Sequence, residues 1–360
     1  MSRTRGAGSW KRSALIVLCI LLSFILALLI ALTIYAESVF GKIQRVDGSD
    51  ETISREQLDA YLKETDAPED DHSAPNLSDE EMELPSSAVD VIGNSENIIN
   101  ILLVGQDRRG GSGRLHSDAM ILCTINKSAK TLTMTSFMRD MWVKIPGHFS
   151  ERLNVSYMLG SSGFVTLNKT LEYNFGVQVD HNVEVDFSGF EKIIDLVGGI
   201  DIELTASEAS YMNRRGSEDA GEPYKGDWEL KEGVNHLTGE QALAYSRLRK
   251  VSSEVGSGDF GRTNRQRTVL TKLVEKAKTL SLAQLNDLIN GVLPMIRTDM
   301  SNSDITGYVM ELFPLLADLT IITERIPADG TWGYAKVDGK SVIKVNFKKN
   351  QQYLQTIIGE

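Results

Sequence analysis

Residues 14–36 read ALIVLCILLSFILALLIALTIYA, an uncharged run of 23 residues, and a run of this kind decides the surroundings of everything that follows it. At ~1.5 Å of rise per residue, a helix of this length crosses the roughly 30 Å of bilayer hydrocarbon. A cleaved signal peptide with Ala36 before the cut is the competing reading, but its apolar core is usually only ~7–15 residues. Arg3, Arg5, Lys11 and Arg12 precede the run, and no acidic residue does. The positive-inside rule therefore predicts a cytoplasmic tail over residues 1–13 and an extracellular remainder, anchored to the cell membrane by a single span.

The net charge of −11 is unevenly placed. Residues 47–96 carry 16 acidic and two basic side chains, whereas residues 1–46 sum to +5, which leaves about −2 beyond Glu96. Acidity thus belongs to residues 37–94, whose mixture of charge, Ser and Pro predicts a solvated, mobile spacer. A near-neutral domain over residues 95–360 follows, long enough to rely on its own core. Cys19 lies in the membrane run and Cys123 is the other cysteine, so no intrachain disulfide is expected in the exported part.

From Ile98 the texture alternates β-branched and apolar residues in IINILLVG, AMILCTIN and TLTMTSF, which predicts three strands. The turn over residues 127–130 is short enough to make the second and third an antiparallel hairpin. A strand at 183–187, a helix at 188–197 ending on Gly198-Gly199, and a strand at 200–204 come next. Thr238-Gly-Glu-Gln241 fits a capping box that opens another helix. A long helix is predicted over residues 262–280, with Val269, Leu273 and Ala277 as its apolar stripe and a last helix near 350–357. Strands alternate with helices, so the class is α/β.

The arginines are concentrated. YSRLRKVSSEVGSGDFGRTNRQR, residues 245–267, holds five Arg and one Lys against two acids. Arg suits bidentate capture of phosphate oxygens. Counting back from Leu273 and Val269 at helical spacing lands on Gln266 and Arg262, so these polar residues should face a cleft at the amino-terminal end of the helix, a natural place for an anion.

A second group belongs to the sheet. If the first three strands run up, down and up, one rim collects Asp107 with Arg108 and Arg109, then Asp118, then Arg139 with Asp140. Ligands tend to bind at such an edge of an α/β sheet. Two carboxylates beside arginines suit a hard divalent cation bound next to phosphates, although ordinary Asp–Arg pairing at loop ends remains the alternative. GQDRRGGSG has neither the P-loop ending nor dinucleotide spacing. There is no GxSxG elbow, the five histidines show no paired metal spacing, and Cys123 in an apolar strand reads as core.

In order along the chain, NILLVGQD, SDAMILCTIN, TSFMRD, RLNVSY, VDFSGFEKIIDLVGGIDIEL, GVNHLTGEQALAYSRLRK and GDFGRTNRQRTVL resemble the LytR-CpsA-Psr family over residues 97–280. The resemblance implies an α/β/α sandwich around a central mixed β-sheet, with an apolar tunnel for a polyprenyl chain. It also implies transfer of a glycopolymer, such as teichoic acid or capsule, from a polyprenyl diphosphate carrier to the 6-hydroxyl of N-acetylmuramic acid in peptidoglycan. By matching motif, Asp107 and Asp118 would hold Mg²⁺ (or Mn²⁺). Arg139, Asp140, Arg247, Arg249, Asp259 and Arg262 would be catalytic, and Arg114, Arg152, Arg265 and Gln266 would bind substrate. His116 stands where the family usually has Arg, with Arg114 as its substitute two residues away, and Met138 replaces the common Pro.

Two other functions use the same residues, a polyprenyl-phosphate-binding envelope regulator and a pyrophosphatase with water as acceptor. No nucleic-acid partner is expected, because about a dozen cytoplasmic residues cannot bury the core of a DNA-reading domain.

Overall fold

The computed structural model describes residues 38, 40–46, 74–92, 95–106, 117–160, 163–214, 228–249, 251, 256 and 258–358. The expected membrane span and residues 47–73 of the spacer lie outside these. No helix among the described residues is long and apolar enough to cross a membrane. Residues up to Ile43 separate from the body that begins at Gln44, and that body carries the fold.

Its strands are β1 (Gln44–Arg45), β2 (Ile98–Gln106), β3 (Ser117–Asn126), β4 (Thr131–Phe137), β5 (Trp142–Lys144), β6 (Ser150–Arg152), β7 (His181–Asp186), β8 (Ile200–Leu204), β9 (Gly233–Leu237), β10 (Ile296–Thr298), β11 (Thr320–Ile326), β12 (Trp332–Val337) and β13 (Lys340–Val345). The helices are α1 (Leu153–Ser156), α2 (Gly163–Phe175), α3 (Phe187–Leu196), α4 (Ala206–Met212), α5 (Gly239–Ser246), α6 (Gly258–Ala277), α7 (Leu282–Val292), α8 (Asn302–Leu312) and α9 (Phe347–Ile358).

Seven strands form one mixed sheet in the order β1-β10-β7-β2-β3-β4-β11. The alternation read in β2, β3 and β4 sorts their side chains onto two faces. Leu102, Val104, Met120 and Leu122 pack on one face with Leu167 and Leu171 of α2 and Leu354 and Ile358 of α9. Ile99, Ile121, Ile125 and Met134 pack on the other, where Leu270 and Val274 of α6 and Tyr308 and Leu312 of α8 cover them. The result is a mixed central sheet with helices on both sides.

β8 and β9 pair only with each other in a small ribbon, which α3, α4, α5 and Val269 of α6 cover. Here Thr238 caps α5 as its sequence predicts: its hydroxyl accepts from the Gln241 amide, and the Gln241 side chain accepts from the Thr238 amide at 2.9 Å. Gly239 lets α5 touch α3, since a Cβ there would meet the Glu191 carbonyl oxygen at 2.0 Å.

Part of the spacer belongs to the fold. Met82 is buried, Asp79 accepts a hydrogen bond from the Trp142 indole at 2.6 Å, and Leu77 and Ile92 bond to the backbone of Lys336 and Gly176. The boundary expected at residue 95 is therefore too late, because residues 74–92 use a few apolar side chains set among charges to dock on the domain.

Candidate active site

β2, β4, β7 and β11 all run toward one edge of the sheet, and antiparallel β3 starts there. This is the rim expected from the strand pattern. At the end of β4, Arg139 donates through Nη1 to Asp118 Oδ1 at 2.8 Å and through Nε to Asp140 Oδ2 at 3.3 Å. The third place on that rim, Asp107, lies outside the described residues, as do Arg114 and His116.

α6 brings the arginine-rich segment to the same rim. The Gly258 amide donates to the Arg249 carbonyl at 3.0 Å, which ties the end of the YSRLR motif to the start of the helix. Asp259 in the first turn then sits between three guanidiniums. Its Oδ1 is 3.0 Å from Arg262 Nη2, 3.5 Å from Arg249 Nε and 3.8 Å from Arg139 Nη2. Neither Asp259 Oδ1 nor the buried Arg262 Nε makes a hydrogen bond among the described residues. Buried polar groups are normally paired, and here charge contacts with the guanidiniums stand in for hydrogen bonds at Asp259 Oδ1.

The charges respond to one another. Burial would raise the Asp259 carboxyl, but Arg262, Arg139 and Arg249 and a hydrogen bond with Asp140 hold it well below the carboxylate range. Burial opposes the charge on Arg139, yet Asp140, Asp259 and Asp118 more than offset that and raise it. Arg249 and Arg262 are lowered by burial first and by the positive charge of Arg139 next. Three arginines against three aspartates leave no surplus of positive charge in this group.

Other expected residues sit around it. The Asn154 amide donates to the Arg139 carbonyl at 3.1 Å, so RLNVSY lies alongside the cluster, with Arg152 buried and 3.8 Å from Glu151. Arg247 is turned over the ring of Phe187, 4.7 Å from its centroid, where α3 leaves β7. Gln266 is half-buried one turn along α6 from Arg262.

Arg265 is placed differently from the expectation. Its Nε donates to Glu208 Oε1 at 2.9 Å, and its two Nη atoms donate to the carbonyls of Leu248, Val251 and Gly256 at 3.0, 3.1 and 3.3 Å. With the side chain fully enclosed, these donors are committed to the fold, so Arg265 holds the segment behind Arg249 and does not offer itself to substrate. Gly261 makes this possible: a Cβ there would meet the Gly256 carbonyl oxygen at 2.5 Å. Glu208 went unnoticed in the sequence. Thr205-x-x-Glu208 is a legible capping box, and Glu208 completes it through Oε2, leaving Oε1 for Arg265.

No three His, Cys, Asp or Glu among the described residues group as a metal site. Mg²⁺ needs only one or two carboxylates when phosphates and waters complete its shell. Asp118, with 26% of its side chain exposed at the rim, fits that requirement.

Beside the rim, the α6–α8 side of the sheet holds an apolar seam. Ile101, Leu103, Cys123, Leu270 and Val274 face one another between sheet and helices and are only partly buried. Burial pushes the Cys123 thiol up to about 12, which makes it a poor nucleophile.

The α/β domain thus carries interlocked arginines and aspartates at its carboxyl rim, with an apolar seam beside them. The chain belongs to the LytR-CpsA-Psr family: residues 60–357 match LytR_cpsA_psr. It is 30% identical over 263 residues, 72% of this chain and 74% of the relative, to the polyisoprenyl-teichoic acid–peptidoglycan teichoic acid transferase TagT of Bacillus subtilis (strain 168). TagT bound to LIIa-WTA matches with a TM-score of 0.57 at 25% identity, covering 79% of this chain and 98% of that one. The family protein YwtF (TagT) with bound octaprenyl pyrophosphate lipid matches at 0.55 and 25%, covering 76% and 97%.

Proposed function

We propose that this chain transfers an anionic glycopolymer from a polyprenyl diphosphate carrier to the 6-hydroxyl of N-acetylmuramic acid in peptidoglycan, at the outer face of the cell membrane. The observation that carries this is the convergence of Arg139, Arg249 and Arg262 on Asp259 at the sheet rim. Next to it, the apolar seam supplies what a prenyl chain needs, and a relative that holds octaprenyl pyrophosphate supports the pairing.

The acceptor hydroxyl attacks the glycan-linked phosphorus, the bond to the bridging oxygen breaks, and polyprenyl phosphate leaves. Arg139, Arg249 and Arg262 stabilise the charge on the phosphoryl oxygens. The hydroxyl proton passes to an acid beside Arg139, either Asp118 or Asp140. Asp118 together with Asp107 would hold Mg²⁺ or Mn²⁺, which supplies positive charge to the diphosphate.

The test combines the purified chain, a polyprenyl-diphosphate-linked glycan and a peptidoglycan fragment, with Mg²⁺ or with EDTA. The expected products are glycan-linked fragment and polyprenyl phosphate, and both should fall when EDTA is present. Free glycan phosphate without linkage would show a hydrolase instead. A reporter joined after Glu360 checks the orientation, which would be overturned by activity confined to the cytoplasm.

A further inference from the structure

A cavity of about 700 Å³ opens beyond β11, the edge strand, with walls from β11, α6 and α9. It is separate from the phosphate cluster but close to it. β11 runs parallel to β4 with Ile326 opposite Phe137, and the Met138 amide continues the ladder to the Ile326 carbonyl. Arg325 in the cavity wall and Phe260 beside Asp259 are the residues through which the cavity and the cluster meet. The partition between them is a stack. Phe260, the residue after Asp259, lies on Trp332 with centroids 4.3 Å apart, and the Arg325 guanidinium is 4.5 Å from the Phe260 centroid.

The lining identifies the class of occupant. Asn264 and Gln352 offer amides and three threonines offer hydroxyls, with Arg267, Arg325 and Lys349 set against Glu324 and Asp329. Apart from the ring of Tyr353, the wall offers only Ala328 as an apolar side chain, too little for a long prenyl chain to pack on. A polyphosphate would meet two carboxylates. A ligand rich in hydroxyls and amides with an occasional carboxylate suits this mixture, and a strand of N-acetylated amino sugars bearing carboxylated substituents is of that class. The wall is also preset, because Arg267 donates to the Glu324 carbonyl at 2.9 Å and the Tyr353 hydroxyl donates to the Glu324 carboxylate.

We propose that this cavity is the acceptor subsite, which holds the amino-sugar strand so that one of its hydroxyls reaches the cluster past the Phe260–Trp332 stack. The inference rests on the transferase reading above.

The test uses the full chain in detergent and, as probe, a tetrasaccharide of alternating N-acetylglucosamine and N-acetylmuramic acid. Lys349→Ala/Gln352→Ala removes two exposed side chains of α9 and leaves the core untouched. Calorimetric binding of the tetrasaccharide without donor should weaken about ten-fold in this variant, the loss of one or two charged or polar contacts. Acceptor KM should rise by the same factor, with kcat and donor KM unchanged. Gln352→Trp, which narrows the mouth, should weaken binding further. Weakened tetrasaccharide binding by the variants of a chain that shows no transfer would leave the cavity a glycan-binding site and overturn both its acceptor role and the transferase reading. Normal acceptor binding and KM in both variants, with transfer intact, would overturn the subsite alone.

Discussion

Arg265 Nε stands 2.9 Å from Glu208 Oε1, and neither side chain reaches solvent. Breaking such a pair from one side leaves the other charge buried and uncompensated, at a cost of roughly 3–5 kcal/mol. Arg265→Leu should therefore lower the urea midpoint sharply. It also strips donors from the carbonyls of Leu248, Val251 and Gly256, so the Arg249 segment should loosen and transfer should fall. Adding Glu208→Leu should recover part of the stability, because a matched apolar pair is tolerated where half an ion pair is not, less the cap that Glu208 gives the start of α4. Equal urea midpoints for Arg265→Leu and the unaltered chain would show that the pair does not hold this segment.

The strands and the long helix were legible because their periodicity is local. Val269 and Leu273 lie on the inward side of α6, as their spacing indicates, and Arg262 continues that side into the rim. The place of Arg265 is not legible in the sequence, because its partner is 57 residues away on another helix. Nothing near either residue signals the pairing, and a motif match groups Arg265 with its phosphate-facing neighbours. The docking of residues 74–92 escaped notice for a similar reason: Leu77, Met82 and Leu84 are too sparse to form a period, yet each finds a place on the domain. The cavity beyond β11 depends on strand order, which the individual strands do not reveal.

The Asp259 carboxyl falls from 3.8 to about 2 in the folded chain, because Arg262, Arg139 and Arg249 outweigh the effect of burial. A carboxyl depressed on folding binds fewer protons folded than unfolded, so its stabilisation is fully present above pH 3.8 and disappears as pH falls toward 2. Asp259→Asn should lower Tm at neutral pH and flatten the fall in Tm between pH 4 and 2 relative to the unaltered chain. Parallel curves for the two proteins across that window would remove Asp259 from the electrostatic centre of the cluster.

Cys123 lies in the apolar seam between the sheet and α6. If that seam receives the prenyl chain, Cys123→Phe should occupy the space a lipid needs. Polyprenyl lipid co-purifying with the chain, measured by mass spectrometry after extraction, should then drop several-fold at unchanged Tm. Undiminished lipid in a stably folded Cys123→Phe protein would place the prenyl chain elsewhere.

Arg249→Lys and Arg262→Lys keep the charge of the cluster and change its geometry. A guanidinium can donate two parallel hydrogen bonds to a phosphate, whereas an ammonium acts as a compact point charge. Both arginines flank Asp259, and Arg262 holds a buried Nε without a hydrogen-bond partner among the described residues. Such a donor is positioned before the ligand arrives, and losing one oriented donor at a site of charge development costs on the order of 10²-fold in rate. Arg214, exposed after α4, serves as control and should tolerate Lys with its rate unchanged. The measurement is transfer from a polyprenyl-diphosphate-linked glycan to a peptidoglycan fragment, at equal thermal stability of the variants. Near-normal rates for both cluster variants would mean that positive potential alone suffices, and the role given to oriented guanidiniums would have to be abandoned.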